Sequence, residues 1–249
     1  MGANLGEKLN IVGVCASPHK KGNTSILVES ALEGSVDAAS EMGLEARTSL
    51  VRLAGHRISP CLGCDQCAKQ RRVCVIQDDW QELARPLYDP VPDGVVFGSP
   101  VYFFNQNALG RCYMERFTSL IKGIWDLETP VSLPDWSCTA GGAVAVGYDR
   151  NGGVEFAMNS ILQWFLSLGL ASVGGFYIGG AGWTGMRNGM DAVKADKHGM
   201  ESARLVGRRV ARTGALLRAG RKELGERANI DLTWRSMDTP LNIGGDDMG

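Results

Sequence analysis

Four cysteines within fourteen residues are the part of this sequence best suited to chemistry. Cys61, Cys64 and Cys67 follow one another at steps of three, and Cys74 comes after six further residues. Iron–sulfur clusters are held by cysteine thiolates at such short spacings, with a loop returning the fourth ligand. The run therefore predicts a [4Fe–4S] site with these four cysteines as its ligands.

Other uses of the same thiols stay open at this point. A zinc site also takes four thiolates, but it usually joins two separate C-x2-C pairs across a longer spacer. A disulfide between Cys61 and Cys74 is disfavoured, because we expect a cytosolic protein, whose thiols are kept reduced. A metal-free set of thiols is the third alternative. Cys15, Cys112 and Cys138 are expected to pack in the core or on a helix face.

A second group of polar residues lies between a buried strand and a helix, in the segment SPHKKGNTS that begins at Ser17. Free backbone amides and the positive end of a helix both favour phosphate at such a place. The segment has neither the G-x-G-x-x-G nor the P-loop pattern, so hydroxyls and amides would hold a terminal monophosphate. The alternative is that Thr24 and Ser25 only cap the helix.

The elements that must position these groups alternate between short β-branched runs and longer helical segments, which predicts a parallel sheet covered on both faces. We expect a doubly wound α/β fold with a five-stranded parallel sheet of order 2-1-3-4-5. A cysteine-rich loop at about 56–77 is inserted after strand two. One domain is expected over 1–228, followed by an irregular tail at 229–249. The predicted strands are 9–16, 45–54, 94–99, 142–147 and 172–178, and the predicted helices 24–42, 107–124, 154–168 and 200–220.

Three loops should meet at one edge of this sheet. In the order 2-1-3-4-5, the ligand crevice lies at the carboxyl ends of strands one and three. Strand three ends in the aromatic turn 99–105, which could flank a planar ring, and the glycine-rich loop 148–153 opens on the same edge. A phosphate loop, an aromatic turn and a glycine-rich loop together predict a site for flavin mononucleotide (FMN).

The motifs SPHKKGNTS, PCLGCDQC, GSPVYF and GYDRNGG occur here in the order seen in flavodoxin-like NAD(P)H-dependent FMN oxidoreductases. The sequence resembles that family over about 9–180, and its cysteine spacing resembles that of the iron–sulfur flavoproteins. The resemblance implies phosphate contacts from Ser17, His19, Asn23, Thr24 and Ser25. It implies contacts to the ribityl chain and flavin ring from Pro100, Val101, Tyr102, Phe103, Asn105, Gly147, Arg150 and Gly153. Two positions depart from the family, which more often has arginine at His19 and lysine at Arg111.

These expectations make the protein an FMN-dependent oxidoreductase that couples a [4Fe–4S] cluster to FMN. A flavin exchanges two electrons and can release them singly, whereas a cluster passes one at a time. One alternative is a cluster-free NAD(P)H-dependent FMN or quinone reductase, and another is a non-catalytic redox sensor or electron carrier. NAD(P)H or a ferredoxin-like protein could be the redox partner. The family resemblance implies a homodimer or homotetramer.

Composition excludes other classes of partner. The formal net charge of −1 over 249 residues gives no electrostatic footprint for nucleic acid. No apolar stretch approaches the roughly 20 residues that a membrane span needs. The N-terminal segment has no apolar signal region, so we expect a cytoplasmic protein.

Overall fold

A parallel β-sheet forms the centre of the computed structural model, which describes residues 8–70, 72–121, 134–149, 151–185, 187 and 189–228. Its main path runs β2-β1-β3-β5-β6, and two further strands join it, β4 beside β3 and β7 beside β5. This path has the predicted order 2-1-3-4-5, because β5 is the predicted fourth strand. The strands are β1 (Leu9–Cys15), β2 (Ala46–Arg52), β3 (Gly94–Tyr102), β4 (Asn105–Gln106), β5 (Ala140–Gly147), β6 (Ala171–Val173) and β7 (Gly180–Trp183).

The position of each strand in the sheet agrees with how deeply its side chains are buried. All of β5, and all but one residue of β1, are buried, as expected for strands covered on both faces. β2 alternates half-buried and exposed residues along most of its length, which suits a strand at the edge. The carboxyl ends of β1, β3 and β5 therefore lie side by side.

The fifth position of the sheet differs from the prediction of one strand over 172–178. β6 pairs with Ala140–Gly142 of β5, and β7 pairs with Val144–Gly147, so two short strands share the position. Between them the chain leaves the sheet over 174–179. Gly179 passes so close to β5 that a Cβ there would lie 2.4 Å from the carbonyl oxygen of Ala143. The β-branched and aromatic residues of this stretch predicted a strand, but the excursion leaves Phe176, Tyr177 and Ile178 exposed.

Helices cover both faces of the sheet. α1 and α7 pack on one face around Leu27, Val206 and Val210, and α4 and α6 pack on the other around Tyr113 and Phe165. The helices are α1 (Asn23–Glu41), α2 (Gln66–Lys69), α3 (Trp80–Ala84), α4 (Ala108–Glu115), α5 (Thr118–Ile121), α6 (Val154–Leu168) and α7 (Lys197–Leu224). Single 3-10 turns cover Arg85–Leu87, Ala192–Ala195 and Gly225–Ala228.

The predicted helix 107–124 is two helices in the structure, since α4 ends at Glu115 and α5 begins at Thr118. Its predicted end beyond 121, the tail 229–249 and Arg150 lie outside the described residues. No helix in the described parts of the chain is long and apolar enough to cross a membrane.

Candidate functional site

A cleft of about 240 Å³ opens at the carboxyl edge of the sheet. The loop after β1, the ends of β3 and β5 and the segment after β7 form its walls. Eight of the residues predicted from the sequence line it: Ser17, His19, Asn23, Thr24, Pro100, Val101, Tyr102 and Gly147. The structure thus brings the phosphate loop and the turn after β3 to one place.

The end of the cleft formed by the loop after β1 lies at the start of α1. The Ser25 hydroxyl donates to the carbonyl oxygen of Gly22 (2.9 Å) and accepts from the Gly22 amide (3.1 Å), so it closes the first turn of the helix. Ser25 does not line the cleft, in keeping with the capping alternative for this residue. Ser17 accepts a hydrogen bond from the His19 amide (3.1 Å), which shapes the loop before the helix.

Asn23 lines the cleft and also holds its opposite wall. Its side-chain amide donates to the carbonyl oxygen of Gly189 (2.9 Å), and its side-chain oxygen accepts from the Val193 amide (2.9 Å). Both ends of this side chain are therefore bonded to the segment after β7. That segment places Arg187 and Met190 in the wall, which the sequence reading did not predict.

Thr184 is a further residue of the wall that was not predicted from the sequence. Its amide donates to the carbonyl oxygen of Gly147 (3.0 Å), which fixes it beside β5. Its hydroxyl is buried yet has no hydrogen-bond partner among the described residues. Buried hydroxyls are normally satisfied, so this one is a candidate hydrogen-bonding group for a molecule bound in the cleft.

The aromatic turn after β3 is a two-residue hairpin. Tyr102 pairs with Asn105, and the central residues Phe103 and Phe104 have φ of 46° and 67°. Both non-glycine residues are in the left-handed region, which costs about 1–2 kcal/mol each. Tyr102 lines the cleft, whereas Phe103 is 97% exposed and neither it nor Asn105 is part of the wall.

Gly153 supports this turn from outside the cleft. Its φ is 105°, and a Cβ there would lie 2.2 Å from the carbonyl oxygen of Phe104. Only glycine allows the loop after β5 to approach the turn so closely. Gly153 is therefore placed against the backbone of the turn rather than in the cleft wall.

The four cysteines line a second, smaller cavity of about 20 Å³, together with Arg116. Cys61 and Cys64 are exposed, Cys67 is half-buried on α2, and Cys74 is buried. Burial raises the pKa of the Cys67 thiol, and the nearby Cys74 and Cys61 add to that rise. In the described part of the chain, no three cysteine, histidine or carboxylate side chains are arranged closely enough to hold a metal ion.

Arg116 is a buried cation beside these cysteines that the sequence reading also missed. Its Nε donates to the Cys74 sulfur (3.1 Å), and one terminal nitrogen donates to the Asp78 carboxylate (2.9 Å). Arg116 follows Tyr113 by three residues and precedes Leu120 by four, so on a helix it shares a face with these two buried apolar side chains. A charged residue on an apolar face was the signal that could have identified it.

The pKa of Asp78 reflects this contact. Burial acts to raise it, but hydrogen bonds from the Ser59 amide, the Arg116 guanidinium and the Trp80 amide outweigh burial and hold the pKa below its usual range.

Cys15, by contrast, is in the core at the end of β1, where burial raises the pKa of its thiol to about 11.

Sequence comparisons find a family and several relatives for this chain. The family described as NADPH-dependent FMN reductase matches residues 9–184. An iron-sulfur flavoprotein of Methanocaldococcus jannaschii is 35% identical over 214 residues, covering 84% of this chain and 100% of the relative. An iron-sulfur flavoprotein of Archaeoglobus fulgidus is 34% identical over 205 residues, covering 81% of this chain and 95% of the relative.

Structural comparison supports the fold. A flavodoxin-type, WrbA-like protein of Agrobacterium tumefaciens aligns with a TM-score of 0.53 at 16% identity, covering 84% of this chain and 99% of that protein. At this identity the likeness establishes a flavodoxin-like fold. With the family match and the relatives above, the chain belongs to the NADPH-dependent FMN reductase family, among relatives named iron-sulfur flavoproteins, and is an FMN-dependent oxidoreductase.

Proposed function

We propose that this protein transfers electrons between FMN in the cleft and a [4Fe–4S] cluster held by Cys61, Cys64, Cys67 and Cys74. The observation that carries the proposal is that all four cysteines line one cavity although they span fourteen residues of loop. The names of the relatives support a cluster in this group of proteins. A four-thiolate donor set is the ligand chemistry that such a cluster requires.

The cleft fits FMN in both its polar and its planar parts. Ser17 and His19 lie in the loop before α1 and Thr24 in its first turn, where free amides and the helix dipole would favour the phosphate. The unpartnered Thr184 hydroxyl offers a hydrogen bond further along the cleft. Tyr102, Pro100 and the backbone at Gly147 would flank the ribityl chain and ring.

When bound, FMN supplies two-electron chemistry with release of single electrons, and the cluster supplies one-electron transfer. The chain's own residues hold these groups and shape access to them. Tyr102 is 47% exposed at the mouth of the cleft, so a small redox partner could reach the flavin edge there. We further propose a cytoplasmic homodimer or homotetramer that exchanges electrons with NAD(P)H, a ferredoxin-like protein or another small molecule.

Metal analysis of anaerobically purified protein tests the cluster. We expect about four iron and four acid-labile sulfide per chain alongside one FMN, and loss of iron when all four loop cysteines are replaced by serine. Cys112→Ser is the matched control, because this half-buried cysteine lies on α4 and does not line the cysteine cavity. Full iron content in the four-serine variant would contradict the proposal.

A cluster-free NAD(P)H-dependent FMN or quinone reductase is the second candidate. It is favoured by the present arrangement of the described thiols, which are not positioned to hold a metal ion. In that case protein without iron should oxidise NAD(P)H with flavin or quinone acceptors as fast as the wild type. Turnover that falls in proportion to lost iron would exclude this candidate.

A further inference from the structure

Arg116 is held in one orientation beside the cysteine cavity by contacts on every side. The residue is 1% exposed and lies between α4 and α5. Besides Cys74 and Asp78, it donates to the carbonyl oxygens of Ser59 (3.1 Å) and Ile76 (3.2 Å). Its guanidinium also lies over the Trp80 ring, 5.1 Å from the ring centroid. The planar guanidinium therefore cannot turn its Nε away from the Cys74 sulfur without breaking several other bonds.

The charge of Arg116 is balanced locally. The side chains of Arg116 and Asp78 are both fully buried and form an ion pair at 2.9 Å. Asp78 is fixed in turn by the Ser59 amide (2.8 Å). Since the pair is neutral as a whole, its long-range field at the cysteines is small. Arg116 therefore acts on the cluster ligands mainly through the hydrogen bond that its Nε donates to the sulfur of Cys74.

Anchoring of the cysteine-rich loop does not by itself require the hydrogen bond from Arg116 to the Cys74 sulfur. The loop is already fastened to Arg116 through the carbonyl oxygens of Ser59 and Ile76, and to α3 through Asp78, whose carboxylate accepts from the Trp80 amide (3.2 Å). The Nε contact is additional, and it is made to one of the four thiols that line the cavity.

We propose that Arg116 is a positioning residue that fixes the Cys74 sulfur and raises the reduction potential of the cluster. The inference rests on the proposed function. Adding one electron to the cluster increases the negative charge on its sulfurs, and a hydrogen-bond donor stabilises that charge. Hydrogen bonds to the sulfurs are among the factors that set cluster potentials.

The test is an anaerobic spectroelectrochemical titration of the full-length protein with its cluster. Arg116→Lys keeps the positive charge but loses the planar fork, so the potential should fall. A tenfold change in the reduction equilibrium is expected, which is about 59 mV for a one-electron couple. Asp78→Asn keeps the N–H bond to sulfur and removes the compensating negative charge, so the potential should rise. Arg111→Gln on α4 is the control, because Arg111 is exposed, pairs with Glu115 and does not line the cysteine cavity.

Opposite shifts of the reduction potential in the two variants distinguish this role from simple support of the loop. If Arg116 and Asp78 only supported the loop, the two potentials would both fall or would change without a consistent sign. An Arg116→Lys protein with full iron content and the wild-type potential would overturn the inference. Should that variant lose its cluster, Asp78→Asn decides alone, and a potential at or below the wild-type value overturns the inference. Wild-type protein without iron and sulfide would refute the proposed function itself, before any variant is compared.

Discussion

At the scale of single residues, two buried threonines differ in whether a described residue accepts a hydrogen bond from the hydroxyl. Thr184 is 7% exposed, and its hydroxyl has no partner among the described residues. Thr139 is as deeply buried, but its hydroxyl donates to the carbonyl oxygen of Pro92 (2.8 Å). The two threonines have the same chemistry and different surroundings, so they form a matched pair.

Thr184→Val should weaken FMN binding by about fivefold, the size of one lost hydrogen bond of about 1 kcal/mol. Removing a hydroxyl without a protein partner should leave the free energy of unfolding of the flavin-free protein nearly unchanged. Thr139→Val should do the reverse, lowering stability by about 1 kcal/mol without changing FMN affinity. Fluorescence titration with FMN and denaturant unfolding measure the two quantities. Equal FMN affinities in both variants would show that the Thr184 hydroxyl does not contact the cofactor.

At the scale of elements, glycines set the distance between α1 and α7, which pack against each other along one face of the sheet. A Cβ at Gly207 would lie 1.6 Å from the carbonyl oxygen of Ala31, and one at Gly34 would lie 2.2 Å from that of Arg204. These contacts are between backbones, so a side chain can be fitted only if the helices move apart. For Gly220 of the same α7 helix, no atom of the described residues lies within 4 Å of such a Cβ.

Gly207→Ala should therefore destabilise the fold by about 1–3 kcal/mol, because overpacking moves two helices. Gly220→Ala should stabilise it by about 0.5–1 kcal/mol, because alanine is the better helix former and meets no atom. Denaturant unfolding of both variants checks the signs. A neutral Gly207→Ala would mean that α1 and α7 are further apart in solution.

A second element-level contact fixes the end of α7 to the segment before β5. The Asp135 carboxylate accepts from Arg221 and from the Ser137 amide. Burial acts to raise the pKa of Asp135, but hydrogen bonds from Arg221 and Ser137 outweigh it and hold the pKa below its usual range. A carboxyl whose pKa is lowered by folding stabilises the fold above its ordinary pKa of about 3.9, and that stability is lost as the pH falls through the folded value.

The difference in unfolding free energy between wild type and Asp135→Asn should be largest near pH 6 and shrink between about pH 5 and 3. Its size should stay below about 1 kcal/mol, because both side chains are about one-third exposed. Arg221→Gln should reduce the same pH dependence to the part that the Ser137 hydrogen bonds maintain. A difference that stays constant over this range would show that the ion pair adds no stability.

For the whole molecule, the exposed apolar side chains indicate where copies of the chain could meet. α6 is rich in apolar residues, and its outer face carries Phe156 and Leu166, exposed by 67% and 64%. Exposed Asn159 and Gln163 lie between these two residues on the same face, so a partner helix would meet apolar and polar side chains in turn. Leu216 on α7 is 72% exposed and is the control position for changes to the α6 face.

The double change Phe156→Asp and Leu166→Asp should convert the proposed homo-oligomer into monomers, because two charges cannot be buried unpaired in an interface. Size-exclusion chromatography with light scattering gives the mass. Leu216→Asp should leave the oligomer intact. A monomeric wild type would exclude the oligomer. Dissociation by Leu216→Asp instead would place the interface elsewhere.

Much of the fold was predictable because it depends on local patterns. Apolar runs gave the strands, and their buried or alternating character separated central β1 from edge β2. The fifth strand was predicted as one continuous strand, because local β propensity carries no information about contacts with distant strands. In the structure the backbone at Gly179 lies so close to β5 that only glycine fits there. Phe103 and Asn105 were predicted as ring contacts from their place in the motif, but the tight hairpin leaves them outside the cleft wall.

By itself, the sequence determined the cysteine run, the phosphate loop and the order of the elements, since each depends on residues close together in the chain. Tertiary structure alone decided that Asn23 would hold the segment carrying Arg187 and Met190, a contact across 166 residues. It also decided that Arg116 would meet Cys74 across 42 residues. Hydrogen bonds of this kind depend on how strands and helices are placed side by side, and no local spacing encodes that placement.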